Sequence, residues 1–210
     1  MQSVPKISPQ PGSGDISGEI AVRLAPGHAA SLHLLLQEGV DIALPQPMTV
    51  RDLLTQHLHI PADYVDRDIS TVFLEGHPVD DIDTAEIAAG STLALSGSLP
   101  GICGITMRRH SPIARMRSGI ALQDGAAAEG GAGTIRLRAF NFIAKGVAAP
   151  VFAAGVQLTA SRAHEALASV LTAPDAVHSA TAEGSPIAPA ALEEHLRQYP
   201  DAIIHLTVSA

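Results

Sequence analysis

Twice in this chain a run of strand-forming residues stops at Glu-Gly-x-Pro and resumes with a branched aliphatic residue. The first instance is Glu75-Gly76-His77-Pro78-Val79. The second, 108 residues later, is Glu183-Gly184-Ser185-Pro186-Ile187. Glycine supplies the left-handed backbone of a tight turn, and proline cannot donate to a sheet interior. Each instance therefore marks a hairpin whose return strand is short or lies at an edge. Both follow a strand that itself follows a helix, and both precede the last strand of their half. The turn glycines Gly39 and Gly146 and the helix-start residues Arg51 and Arg162 repeat with nearly the same spacing. Two readings stay open. One is a tandem duplication; the other is a turn composition met twice by chance, with a second half of another α+β type.

The segments between these landmarks set the expected elements. Residues 31–36, Ser-Leu-His-Leu-Leu-Leu, read as a strand that turns at Gln37-Glu38-Gly39 and returns over Val40–Leu44. Thr49 offers a hydroxyl cap to a helix running to about Leu58, with Val50, Leu53, Leu54 and Leu58 on one face. Pro61 stops anything longer. Residues 71–79 give a strand, a turn and a short return, and 91–95 give a closing strand. In the second half, 134–143 read as a strand, Gly146 and Pro150 bracket a turn, and Val151–Leu158 return. Ser161 caps a helix with an apolar stripe at Ala163, Ala166, Leu167, Val170 and Leu171. A strand at 177–181, a helix at 189–199 and a strand at 202–208 follow.

The domain organisation implied is a largely disordered lead-in at 1–28, an α+β domain at 29–98, a connector at 99–133 and a second α+β domain at 134–210. Pro5, Pro9 and Pro11 and the lack of an apolar run of signal length make Met1–Asp15 a lead-in rather than an export signal. Aromatic residues are only 3% of 210, and tryptophan is absent, so the core is built from Leu, Ile, Val and Ala. In the connector, Pro100, Gly101 and Gly104 break regularity. Ser111-Pro112 through Gly119 read as one short helix, and 125–133 as a Gly/Ala linker.

The first domain resembles the ubiquitin-like β-grasp superfamily, in particular the sulfur carriers of thiamine and molybdopterin biosynthesis. The residues that carry the resemblance are the opening hairpin, Thr49-Val50-Arg51-Asp52-Leu53-Leu54, Phe73–Val79 and Ala89-Gly90-Ser91-Thr92-Leu93-Ala94-Leu95. The resemblance implies one helix across a mixed sheet, with the last strand beside the first, in one domain or in two joined by the connector. The carriers end in a free Gly-Gly whose carboxylate is adenylated and thiolated. Here the strand runs on into Ser96-Gly97-Ser98-Leu99-Pro100-Gly101, and the chain ends in Val208-Ser209-Ala210. Carrier chemistry would require cleavage at Gly101 or at Gly130-Gly131. One fold hosts unrelated functions, so the resemblance bears on fold more than on activity.

Charge narrows the partners. The net charge of −8 argues against general nucleic-acid binding, which needs a basic field to release counterions. No run reaches the 18 or more apolar residues of a membrane span. Against that acidic background, Arg108, Arg109, Arg115 and Arg117 lie within ten residues with no acid among them. Guanidinium groups hold carboxylate or phosphate in two-pronged geometry, so these four are the candidate site for an anionic partner. Docking onto Asp80, Asp81 and Asp83 of the same chain is the alternative.

Cys103, the single cysteine, excludes an intrachain disulfide and fits a reducing, cytoplasmic setting. Beside Arg108 and Arg109 it is a candidate reactive thiol, or else a small residue in a tight loop. The pairs His57-x-His59, His164-Glu165 and Glu194-His195 lack a metal-binding spacing. No phosphate loop, serine elbow or carboxylate pair stands out, so no enzyme, metal or cofactor is expected. The expected function is a non-enzymatic protein-interaction or assembly module. The alternative is a sulfur-carrier-like or small-ligand-binding protein of cofactor metabolism.

Overall fold

The computed structural model describes residues 18–98, 100–113, 131–173 and 175–209. Ile20, Val22 and Leu24 alternate with Ala21 and Arg23, and this alternation makes Gly18–Leu24 a strand, β1, with every second side chain buried. It corrects the lead-in expectation for 18–28. A 3₁₀ turn at His28–Leu32 leads into helix α1 (His33–Glu38). Residues 31–36 are therefore helical, not a strand. Leu32, Leu35 and Leu36 fall three and four apart and are buried, while Leu34 between them is 59% exposed. A short apolar run carries either period, and burial against the neighbouring helix decides it here.

Gly39 then takes φ 103°, open to glycine alone, and starts β2 (Val40–Leu44). The short β3 (Met48–Thr49) ends on Thr49, whose hydroxyl accepts the Asp52 N–H at 3.1 Å. Helix α2 (Val50–Asp52) continues as a π-helical turn over Leu53–His57, and all four expected apolar-face residues are buried. Pro61 closes that helix and caps another, α3 (Ala62–Arg67). Strands β4 (Thr71–Leu74), β5 (His77–Pro78), β6 (Glu86–Ile87) and β7 (Thr92–Ser96) follow.

In the connector, Gly101–Met107 form helix α4, at the glycines expected to break regularity. Ser111 and Pro112 lie in a turn, and the rest of the helix expected to Gly119 is outside the described residues. Strand β8 (Gly133–Ala139) begins on the last linker glycine.

The expected turn and strand over 146–158 are instead helix α5 (Asn141–Ala154), followed by β9 (Val156–Thr159). Pro150 lies inside α5 without ending it. Ile143, Val147, Val151 and Phe152 are fully buried on one face. Burial of each contributes about 1.5–3 kcal/mol, against about 3 kcal/mol for an interior proline. Helix α6 (Ala160–Leu171), β10 (Val177–Ala182), β11 (Ser185–Pro186), helix α7 (Pro189–Gln198) and β12 (Ile203–Ser209) complete the chain.

The architecture is α+β. One ten-stranded sheet runs β11-β10-β1-β12-β9-β2-β8-β7-β4-β5, mostly antiparallel, with β3 and β6 paired separately. The two parallel contacts are β1 with β12 and β7 with β8. The neighbour of β7 is thus β8, not residues 31–36. Strand β8 lies between β2 and β7, and β1 lies between β10 and β12. Each half of the chain therefore places its first strand among the strands of the other. Helices α1, α5, α6 and α7 pack on the face carrying Ile20, Val22, Ile42, Leu93, Leu137 and Leu206.

Local geometry recurs between the halves. Gly39 (φ 103°, ψ 139°) matches Gly155 (φ 95°, ψ 138°), each joining a helix to a strand. The counterpart of Gly39 is therefore Gly155, not Gly146. Thr159, not the expected Ser161, caps α6 as Thr49 caps α2, accepting the Arg162 N–H at 3.4 Å; Ser161 lies inside the helix. Glu75-Gly76 and Glu183-Gly184 share positive φ at both residues. Glu75 exchanges two hydrogen bonds with the backbone of Thr92 on β7. Glu183 makes the same pair with Glu19 on β1.

Candidate interaction site

Strands that bury alternate residues on one face present the others on the opposite face. Here that face lies opposite helices α1, α5, α6 and α7. Register places Glu19, His205, Gln157, Asp41, Arg136 and Thr92 in one row across six strands, β1 to β7. All six are exposed or half-buried. Within the row, Arg136 Nη1 reaches both Asp41 carboxylate oxygens at 3.2 and 3.3 Å.

A second row, Arg138, Ala94, Phe73 and Pro78, crosses β8, β7, β4 and β5. It contains a depression of about 320 Å³ bounded by Phe73, Ala94, Ser96, Phe140 and Asn141. Asn141 Nδ2 donates to Ser96 Oγ at 3.0 Å, fixing the polar rim. The exposed Arg138 guanidinium lies over the Phe140 ring, 5.2 Å from its centre. Its Nε and Nη2 donate to the Gln37 carbonyl at 3.3 and 3.2 Å, at the α1 C-terminus, where a cation is favoured. Phe142 follows, 54% exposed and in reach of Gly97, at the end of β7.

Phenylalanine is rare here, with four in 210 residues. Only Phe152 is in the core; Phe73 and Phe140 line the depression, and Phe142 is exposed on α5 beside Gly97. Sequence reasoning missed the group, because Phe73 served only as part of a strand pattern. The available signal was Arg136-Leu137-Arg138-Ala139-Phe140-Asn141-Phe142: two arginines and two phenylalanines around a strand end in an aromatic-poor, acidic chain.

The connector arginines are placed differently. The Arg109 backbone N–H donates to Ser70 O at 2.8 Å, and its Nη2 donates to Val65 O at 2.9 Å. Burial lowers its pKa most, partly offset by Asp66. Arg109 shares a cavity of about 260 Å³ with Arg51 and Asp66, Asp80, Asp81 and Asp83. Arg51 is bound to Asp83 and, at 3.0 Å, to Asp66; the Asp83 hydrogen bond is the main cause of its raised pKa. Arg109 thus ties the connector to α3 and lies among the aspartates proposed for intrachain docking. Arg108 is half-buried. Arg115 and Arg117 lie outside the described residues, and Cys103 falls on α4.

His164 Nε2 lies 3.6 Å from Glu193 Oε1, linking α6 to α7. Among the described residues no three His, Cys, Asp or Glu side chains are grouped to hold a metal, and no helix is long and apolar enough to cross a membrane.

The chain matches no known family model, no curated protein and no solved structure.

Proposed function

We propose that this protein is a non-enzymatic interaction module, built from two β-grasp-like halves, that engages a protein partner through the face of its sheet opposite α1, α5, α6 and α7. The observation that carries the reading is that face: part of a ten-stranded sheet, patterned with charge, and bearing Phe73 and Phe140, two of the four phenylalanines. Exposed aromatic clusters beside arginine are the usual anchors of protein interfaces. Antiparallel sheets leave one face to solvent, and here the solvent face carries more than solubilising residues.

The β-grasp relation is supported in the order β2-β8-β7-β4-β5, in which two parallel central strands are flanked by antiparallel partners. That order resembles a β-grasp when β8, from the other half, stands where the first strand belongs. The duplication is supported by the matched pairs Gly39/Gly155, Thr49/Thr159 and Glu75-Gly76/Glu183-Gly184. It extends to β1 and β8, whose Gly-x-Ile-x-(Val/Leu)-Arg runs share one burial alternation.

The test is site-specific photocrosslinking in the native host. Probes at Gln157 and Ala94 on the open face are expected to capture one common partner, and probes at Glu165 and Ser169 on α6 are not. Capture from α6 alone would overturn the reading. Intact-mass measurement of the same protein separates this reading from the carrier alternative. A fragment ending at Gly101 or Gly131 with a terminal adduct would belong to carrier chemistry.

A further inference from the structure

We propose that the depression between Phe73 and Phe140 is the anchor pocket of the open face, and that it takes an apolar side chain carried next to a carboxylate: an acidic–apolar segment of the partner protein. The inference rests on the interaction reading above and adds the partner's chemistry. The volume, about 320 Å³, is at the small end of ligand pockets and suits one side chain. Two phenyl rings form its walls, and Ala94, a small residue on β7 in register with both Phe73 and Arg138, forms its floor. Both rings are half-buried on the sheet surface rather than in the core, in a chain with four Phe and two Tyr.

The charge preference comes from the rim. Arg138 lies against Phe140, and Arg136 stands two residues before it on the same strand face. Asp41 is bound to Arg136, so Arg136, Arg138 and Asp41 together carry +1 in a protein of −8. Among the described residues, Arg138 Nε and Nη2 are engaged by Gln37, and Nη1 is open to a further acceptor. An arginine held over an aromatic ring and anchored by two donors to one carbonyl is positioned for a carboxylate at its remaining edge. An apolar group seated on Phe140 brings an attached carboxylate to that edge. A cationic neighbour would meet Arg138 and Arg136 instead.

The experiment is an amide-shift titration of the full-length protein by NMR with three probes: 3-phenylpropionate, 3-phenylpropylamine and acetate. Phenylpropionate is expected to shift Phe73, Ala94, Phe140 and Asn141 saturably. The amine should bind at least about tenfold more weakly, as expected when one charge-assisted contact becomes a repulsion. Acetate, which lacks the ring, should leave those amides unmoved. Ala94→Phe fills the floor and should abolish phenylpropionate binding while the remaining spectrum reports an intact fold. Arg138→Gln should weaken the acid and not the amine. Equal binding of acid and amine, or acid binding unchanged in Ala94→Phe, would overturn the proposal. If open-face crosslinking succeeds while these titrations fail, the interaction reading stands and the partner chemistry assigned here is wrong.

Discussion

At Gly39 and Gly155 the backbone takes φ near +100°, and the space where a Cβ would project is already occupied. Arg136 and Arg138 fill it at Gly39, and His205 fills it at Gly155. A side chain at either position meets both backbone strain and a displaced basic group. Gly39→Ala and Gly155→Ala are each expected to lower stability by about 1–3 kcal/mol, measured by chemical denaturation. An unchanged midpoint at either would show that the turn has an alternative conformation. Residue-scale reading of the sequence found Gly39 but paired it with Gly146, since spacing alone cannot report a dihedral angle. Gly146 instead lies inside α5, under the Tyr64 phenol. The arginine cluster at 108–117 was legible as charge, not as placement. Whether a guanidinium faces solvent or a carbonyl depends on where the chain returns, and Arg109 returns to Val65.

At the scale of elements, the features with strong local chemistry were read correctly. Thr49 with its apolar stripe gave α2, and the Ala163, Leu167 and Val170 stripe gave α6. Thr49→Ala and Thr159→Ala should each cost about 1 kcal/mol, because each frees one helix N–H. Equal losses would fit equivalent caps in the two halves, and a loss at only one would weaken the case for equivalence. Two elements were misread for one reason. Residues 31–36 and 151–154 are short apolar runs, compatible with both helical and strand periods. Tertiary packing of α1 against α5 makes both helical. Strand β1 was missed although Ile20, Val22 and Leu24 alternate cleanly, because the proline-rich stretch before it coloured the whole N-terminus.

At the scale of the molecule, the strand order was beyond a sequence reading. Nothing local in Gly133–Ala139 says that it pairs with Val40–Leu44 and Thr92–Ser96, some forty to ninety residues earlier. The consequence is an interdependence that domain boundaries drawn at 98 and 134 do not express. Without β8 the first half has a gap between β2 and β7, and without β1 the second has a gap between β10 and β12. The open face with its Phe73–Phe140 depression exists only when β8 is in place, since Arg138 and Phe140 arrive with that strand. The claim that the halves complete one sheet is tested most directly by cutting the connector. A specific protease site placed between Ala128 and Glu129 allows the folded protein to be cleaved and examined by native mass spectrometry. The two fragments are expected to stay together as one 1:1 complex with the amide protection of the uncut chain. Fragments that separate and each remain folded would contradict it, and would make the chain two independent domains.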